Sequence, residues 1–328
     1  MIYYFIRPTE NYEIIKLEPP WVEFILESSV PPNSLLVCDT FIDYFLDNYN
    51  IFDLSKYSCV IFNLSVNPIP VEEFLSKINQ SSIGIKYYIL TGLFNRYQNE
   101  TIAKFFPFWA VWSSLQPPMS TISNRKYKLS CLNGTPWSHR KLSYLALSKK
   151  LYFGEMIFTF GHRPYHDVPS IDSLTPGELL EFNQLKDEVC FLDSDATIGI
   201  DITINHPAYL DSYVNFVTET TVRNDAPMLS EKSFKPILAK QLMVLFASPG
   251  SVDFLRKIGI DMFDDVIDHS YDYIVDTRTR LDQALIQVDR LMLRNLDQLY
   301  LELLPRLVKN SQYLLSQEFR DQFSLNFG

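Results

Sequence analysis

Glycine is scarce in this chain, at 10 of 328 residues, about 3% where average usage is roughly 7%. Neither GxGxxG nor GxxxxGK[ST] occurs, so neither the dinucleotide fingerprint nor the P-loop is available for holding phosphate. The four cysteines, Cys38, Cys59, Cys131 and Cys190, lie far apart without a CxxC, and the first three sit inside apolar runs. Buried, reduced thiols are the expectation. No apolar run approaches the roughly 18 residues that span a bilayer, and the opening MIYYFIR lacks the basic region of a secretory leader. The sequence is therefore read as cytoplasmic, with no membrane span. Positive charge is also short: 29 Lys and Arg face 39 Asp and Glu, a net −10. That balance disfavours nucleic acid held through its phosphates and leaves room for a local basic pocket around one diphosphate. No GxSxG and no Cys/His pairing in a motif supports a hydrolase.

Core-forming material is ample, with 47% hydrophobic residues, 24 Phe and 19 Tyr. The length predicts two domains and an appendage. In the first third, short apolar runs at 2–6, 35–38, 59–64, 86–91 and 108–113 read as strands. Between them lie helical spacings: Phe41, Tyr44 and Phe45; Val71, Phe74, Leu75 and Ile78; Ile102, Phe105 and Phe106. Such alternation predicts a parallel sheet covered on both faces. The polar, proline-rich stretch 116–125 reads as a linker. The domains are placed at 1–122, 123–275 and 276–328.

The second domain shows the same grammar more clearly. Strands are predicted at 127–132, 156–160, 213–218 and 242–247. Asn133-Gly134-Thr135-Pro136 turns into a helix opened by Trp137-Ser138-His139-Arg140. The strand from Tyr213 ends on the carboxylate Glu219, and Ser230-Glu231-Lys232 then opens a helix with an N-cap serine and a first-turn acid. Pro236 keeps that helix short. Ser248-Pro249-Gly250-Ser251 leads into a further helix. Polar groups thus gather at strand carboxyl ends and helix amino ends, the edge where open α/β sheets bind nucleotides.

These parts, over residues 127–275, resemble glycosyltransferases of the GT-B type, and among them the α-1,3-fucosyltransferase-like families with their bacterial and viral relatives. The resemblance is carried by Phe216, Glu219, Asp225, Ser230-Glu231-Lys232 and, upstream, Arg140 in SHRK. The spacing between Glu219 and Glu231 is longer than in the fucosyltransferase pattern. The resemblance implies an α/β fold of two Rossmann-like domains in GT-B arrangement, with C-terminal helices. It also implies a GDP- or UDP-linked sugar donor, a hydroxyl acceptor (glycan, protein or modified nucleobase) and no required cofactor or metal. Glu231 would accept hydrogen bonds from the ribose hydroxyls, while Lys232 and Arg140 neutralise the leaving diphosphate. His139 and Lys235 are further candidates for phosphate contact, Gly250 for the phosphate-facing turn, and Glu219 for the sugar. An inverting reaction needs a base for the acceptor hydroxyl. Asp39 is the candidate, ahead of Glu10, although an aspartate before Phe41 also fits a helix cap.

Other readings stand beside this one. Ser230-Glu231 fits a plain cap, and Arg140 fits a solvated helix face. Phe191-Leu192-Asp193-Ser194-Asp195 ends in a DxD that could hold a divalent cation, although DSD also fits an ordinary turn. A non-catalytic scaffold that keeps the fold is the alternative class. His162 and His166 have zinc spacing only in a helix, which Pro164 opposes. From Asp276 onward Leu281, Leu285, Val288, Met292, Leu296, Leu299 and Leu303 recur at helical spacing, predicting a helix broken near Pro305 and a second over 307–319. That stripe is expected to pack back on the first domain, or to pair two chains as a short coiled coil.

Overall fold

A computed structural model describes residues 2–5, 22–23, 34–38, 57–63, 75–76, 87–91, 103–105, 107–121, 124–133, 137–160, 174–185, 207–222 and 227–323. The chain divides into two compact units, Met1–Phe108 and Trp109–Gly328. In the first unit the strands are β1 (Ile2–Phe5), β2 (Val22–Glu23), β3 (Ser34–Cys38), β4 (Tyr57–Asn63), β5 (Tyr87–Thr91) and β6 (Ala103–Phe105). They form one sheet in the order β2-β1-β3-β4-β5-β6, and every pairing is parallel. The strand order reverses between β1 and β3.

Two expectations fail around residue 108, where the chain passes from the first unit to the second. The run read as a strand over 108–113 is helix α1 (Phe108–Ser114). The segment read as helical around Phe105 instead supplies β6, paired with β5 through Leu90 and Lys104. Short apolar runs carry no decisive period. Pro107, which has no N–H for a ladder and a fixed φ, suits a helix start better than a central strand.

The second unit holds β7 (Tyr127–Asn133), β8 (Met156–Phe160), β9 (Ser212–Thr218) and β10 (Leu242–Phe246), close to the predicted bounds. The sheet order is β10-β9-β7-β8, again all parallel. Its helices are α2 (Ser138–Ser148), α3 (Pro176–Leu185), α4 (Pro207–Leu210), α5 (Glu231–Leu238), α6 (Ser251–Lys257), α7 (Thr277–Met292), α8 (Leu296–Leu314) and α9 (Gln317–Asp321). Every residue of β9 and β10 is buried, as a parallel strand covered on both faces must be. Leu129, Cys131, Val214, Phe216, Val244 and Phe246 join one apolar cluster with Leu142 and Leu145 of α2 and Leu281, Leu285 and Val288 of α7. Each fully buried Val, Leu or Phe among these stabilises by about 1.5–3 kcal/mol.

The predicted terminal stripe is buried from Leu281 to Leu303, where it packs on this second sheet. The helix break also differs from expectation. It falls between α7 and α8, where Asn295 caps α8 through the Gln298 amide, and α8 runs through Pro305. That proline leaves the Leu301 carbonyl without its helical donor, but Leu301 is exposed and water can serve it. At the amino edge of the sheet Arg125 is a buried staple. Its guanidinium donates to the carbonyls of Tyr209, Ser212 and Ala239 and to the Tyr300 hydroxyl at 2.7–2.9 Å.

Candidate functional site

In the second unit the chain leaves β7 for β8 on one side and returns with β9 on the other. The carboxyl ends of β7 and β9 therefore flank the strand-order reversal, the crevice position of open α/β sheets. A buried polar shelf lines those ends. The Asn133 amide N–H donates to Thr159 Oγ1 at 3.2 Å, and the Thr218 hydroxyl donates to the Asn133 side chain. Thr159, Asn133 and Thr218 are all buried.

Glu219 is the next residue after β9 and has no solvent exposure. Its carboxylate accepts four hydrogen bonds, from the Thr220 amide (2.8 Å), the Ser230 amide (2.8 Å), and the Ser230 and Ser233 hydroxyls (2.6 Å each). The group read from sequence as sugar-facing is thus enclosed by donors of its own chain. Ser230 is the predicted N-cap of α5, its hydroxyl accepting from the Lys232 amide at 3.3 Å.

Helix α2 brings His139 and Arg140 to the same strand end. Both are buried, Arg140 at 2% exposure, and Arg140 Nη2 lies 3.4 Å from the Thr218 carbonyl. His139 Nε2 lies 2.8 Å from the Glu219 carbonyl. A carbonyl can only accept, so Nε2 carries the hydrogen. Burial, reinforced by the neighbouring Arg140 charge, holds the imidazole down to a pKa of about 3, so His139 is neutral at physiological pH.

Glu231 and Lys232 occupy the first turn of α5 and pair with each other, Lys232 Nζ to Glu231 Oε1, at 2.5 Å. The glutamate side chain is 4% exposed and the lysine 18%, so the ammonium is the more accessible partner. Lys235 does not join them. It is buried, with its ammonium 6.0 Å from the ring of Tyr209, in the helix that precedes β9 at the opposite edge.

Gly250 has φ +81, a left-handed backbone that glycine adopts without strain. Its amide donates to the Asp272 carbonyl at 3.0 Å. The Asp272 carboxylate accepts the Val252 and Asp253 amides at 3.1 and 3.3 Å, so the turn before α6 already has an internal acid. Burial pushes Asp272 up to a pKa of about 6 against those amides.

Sequence reading missed Arg280, in the first turn of α7. It is 1% exposed and donates to the carbonyls of Ala247, Ile274, Val275 and Val222 and to the Thr277 hydroxyl. The fork thereby ties the segments after β9 and β10 together. It lies 5.8 Å over the Phe246 ring, which His139 meets edge-on at 6.3 Å. An arginine in an amphipathic helix gives no sign of this in sequence. Also unforeseen is Ser248, after β10, whose buried hydroxyl has no hydrogen-bond partner among the described residues.

Asp39, Glu10, Asp225, Asp193, Asp195, His162, His166 and His206 lie outside the described residues. Among the described residues no group of three His, Cys, Asp or Glu could hold a metal ion, and no helix is long and apolar enough to cross a membrane. Cys131 is a buried free thiol.

No protein-family model and no curated protein sequence matches the chain. Among solved structures it is similar to a DNA-modifying β-glucosyltransferase, studied with and without its substrate uridine diphosphoglucose. That likeness has 13% identity and a TM-score of 0.38, and covers 89% of this chain and 80% of that one. It is also similar to an α1,3-fucosyltransferase with GDP-fucose, at 10% identity and a TM-score of 0.36, over 90% of this chain and 94% of that one. At these TM-scores neither likeness bears on this chain's chemistry.

Proposed function

We propose that the chain is a glycosyltransferase that moves a sugar from a nucleotide-diphosphate donor to a hydroxyl acceptor by a metal-independent GT-B mechanism. One observation carries the reading: α2 and α5 deliver Arg140 and the Glu231–Lys232 pair to the carboxyl end of a single strand, β9, beside the strand-order reversal. A sugar donor leaves as a nucleoside diphosphate whose negative charge grows as the glycosidic bond breaks. Fixed cations and helix amides oriented toward that charge lower the barrier. In this reading Lys232 exchanges Glu231 for the diphosphate, and Glu231 is released to accept hydrogen bonds from the ribose hydroxyls. Arg140 adds a second positive charge from α2.

The acceptor is assigned to residues 1–122, with Asp39 taking the proton of its hydroxyl as the new bond to the anomeric carbon forms. The electron pair of the broken bond leaves on the diphosphate. The net charge of −10 favours a glycan or protein acceptor over a nucleobase in DNA, and the free Cys131 thiol suits a reducing cytoplasm.

Thermal unfolding with GDP, UDP and their sugars tests the reading. A ligand at 100 times its Kd stabilises by about 2.7 kcal/mol. One nucleotide series is expected to raise Tm without added metal. No shift with any nucleotide would leave the scaffold reading in its place, and a shift that requires manganese would move the site to Asp193 and Asp195.

A further inference from the structure

Every polar group of Glu219 is used, and each reaches a different element. Its amide donates to the Phe246 carbonyl at the end of β10, at 3.0 Å. Its carbonyl accepts from His139 in the first turn of α2, and its carboxylate gathers Ser230 and Ser233 at the start of α5. One residue at the end of β9 therefore sets the register of the helix that carries Arg140 against the helix that carries Lys232. A glutamate with no solvent exposure and four donors on its carboxylate has no lone pair free for a sugar hydroxyl.

We propose that Glu219 is a positioning residue that fixes the spacing between Arg140 and Lys232 so that both cations reach the same diphosphate. This rests on the glycosyltransferase reading and assigns Glu219 a role other than holding the sugar. The carboxylate suits the task better than an amide would. Each carboxylate oxygen accepts from one backbone amide, that of Thr220 or of Ser230, and the NH2 of a glutamine can take neither. Glu219→Gln keeps the volume and removes the acceptors on one side, so the start of α5 loosens while the sheet stays packed.

The test combines Glu219→Gln with Lys232→Ala, and nucleotide Kd is measured by calorimetry for each variant and for the pair. With both cations in register, Lys232→Ala is expected to weaken UDP or GDP binding by about tenfold or more. Glu219→Gln alone is expected to weaken it by about tenfold. On the Glu219→Gln background Lys232→Ala should then add less than about threefold, because the lysine no longer shares the ligand with Arg140. Loss of packing alone would leave the Lys232→Ala factor unchanged. Equal binding by Glu219→Gln and wild type, or the same Lys232→Ala factor on both backgrounds, overturns the proposal and leaves the glycosyltransferase reading standing. A wild-type chain that binds no nucleotide overturns both. Ser233→Ala serves if Glu219→Gln does not fold. It removes one donor to the same carboxylate, and it should weaken binding by about threefold and reduce the Lys232→Ala factor in the same direction.

Discussion

The carbonyl of Glu219 accepts the Nε2 hydrogen of His139 across 2.8 Å, a bond that needs the neutral Nε2–H imidazole or the charged one. Burial and the Arg140 charge favour the neutral form and lower the pKa from 6.5 to about 3. The sign follows from linkage. Below pH 6.5 the unfolded histidine binds a proton that the folded one refuses, so stability is full above 6.5 and falls as pH drops toward about 3. The loss is at most about 1.4 kcal/mol per pH unit for this group. His139→Gln keeps a donor for the carbonyl and cannot titrate. Urea midpoints between pH 7 and pH 4.5 should fall less steeply for the variant than for wild type. Some slope should persist, because burial also lowers His269. Parallel slopes would remove His139 from the account.

Asp272 works in the opposite sense. Its folded pKa is raised from 3.8 to about 6 by burial, so the stabilisation that goes with its protonated form is full below pH 3.8 and lost as pH rises through 6. At pH 8 an ionised carboxylate sits 2% exposed, relieved only in part by the Val252 and Asp253 amides. Asp272→Asn retains an acceptor for those amides and carries no charge. A gain of about 1–3 kcal/mol at pH 8 is expected, shrinking toward pH 5. A loss of stability at pH 8 would mean that the charge itself holds the start of α6.

Arg280 joins three stretches of backbone through four carbonyls. Lysine keeps the charge but offers its donors from one point, and it cannot span a fork's width. Arg280→Lys should leave at least one of the two buried carbonyls, Ala247 or Val222, without a donor and cost about 1–3 kcal/mol in a denaturant titration. A change within about 0.5 kcal/mol, ordinary for a surface position, would contradict the buried staple.

The second sheet was legible because its strands are short β-branched and aromatic runs between turn residues, and the Ser230 cap because serine, glutamate and an apolar period coincide. Phe108–Ser114 misled because an apolar run of that length fits either period. Pro305 misled because a proline on an exposed helix face costs little where water can reach the freed carbonyl. The enclosure of Glu219 was hidden for another reason. Its partners Ser230 and Ser233 lie 11 and 14 residues away, a separation over which local pattern does not determine contact. Arg125 lies in the stretch read as a linker and Arg280 beside the apolar stripe of the terminal helix, and backbone carbonyls from other segments bury both. Lys235 has a cation's residue type at the right helix, but it lies a turn too far along to share the Glu231 end.

Lys232 is read through two quantities, the unliganded Tm and the nucleotide-induced shift. Its pair with Glu231 joins neighbouring residues, and its side chain is partly exposed. Its partner Glu231 is only 4% exposed, so Lys232→Ala leaves a buried carboxylate without its cation and should lower the basal Tm. If the ammonium exchanges Glu231 for a diphosphate, the same substitution removes a charge-assisted contact worth roughly twice a neutral hydrogen bond. It also leaves Glu231 unneutralised beside an anionic ligand. The nucleotide-induced thermal shift should then disappear when measured against the variant's own unliganded melting curve. A shift of wild-type size in Lys232→Ala would place the diphosphate elsewhere on the edge, and the Ser248 hydroxyl after β10, which has no partner among the described residues, would be the next position to substitute.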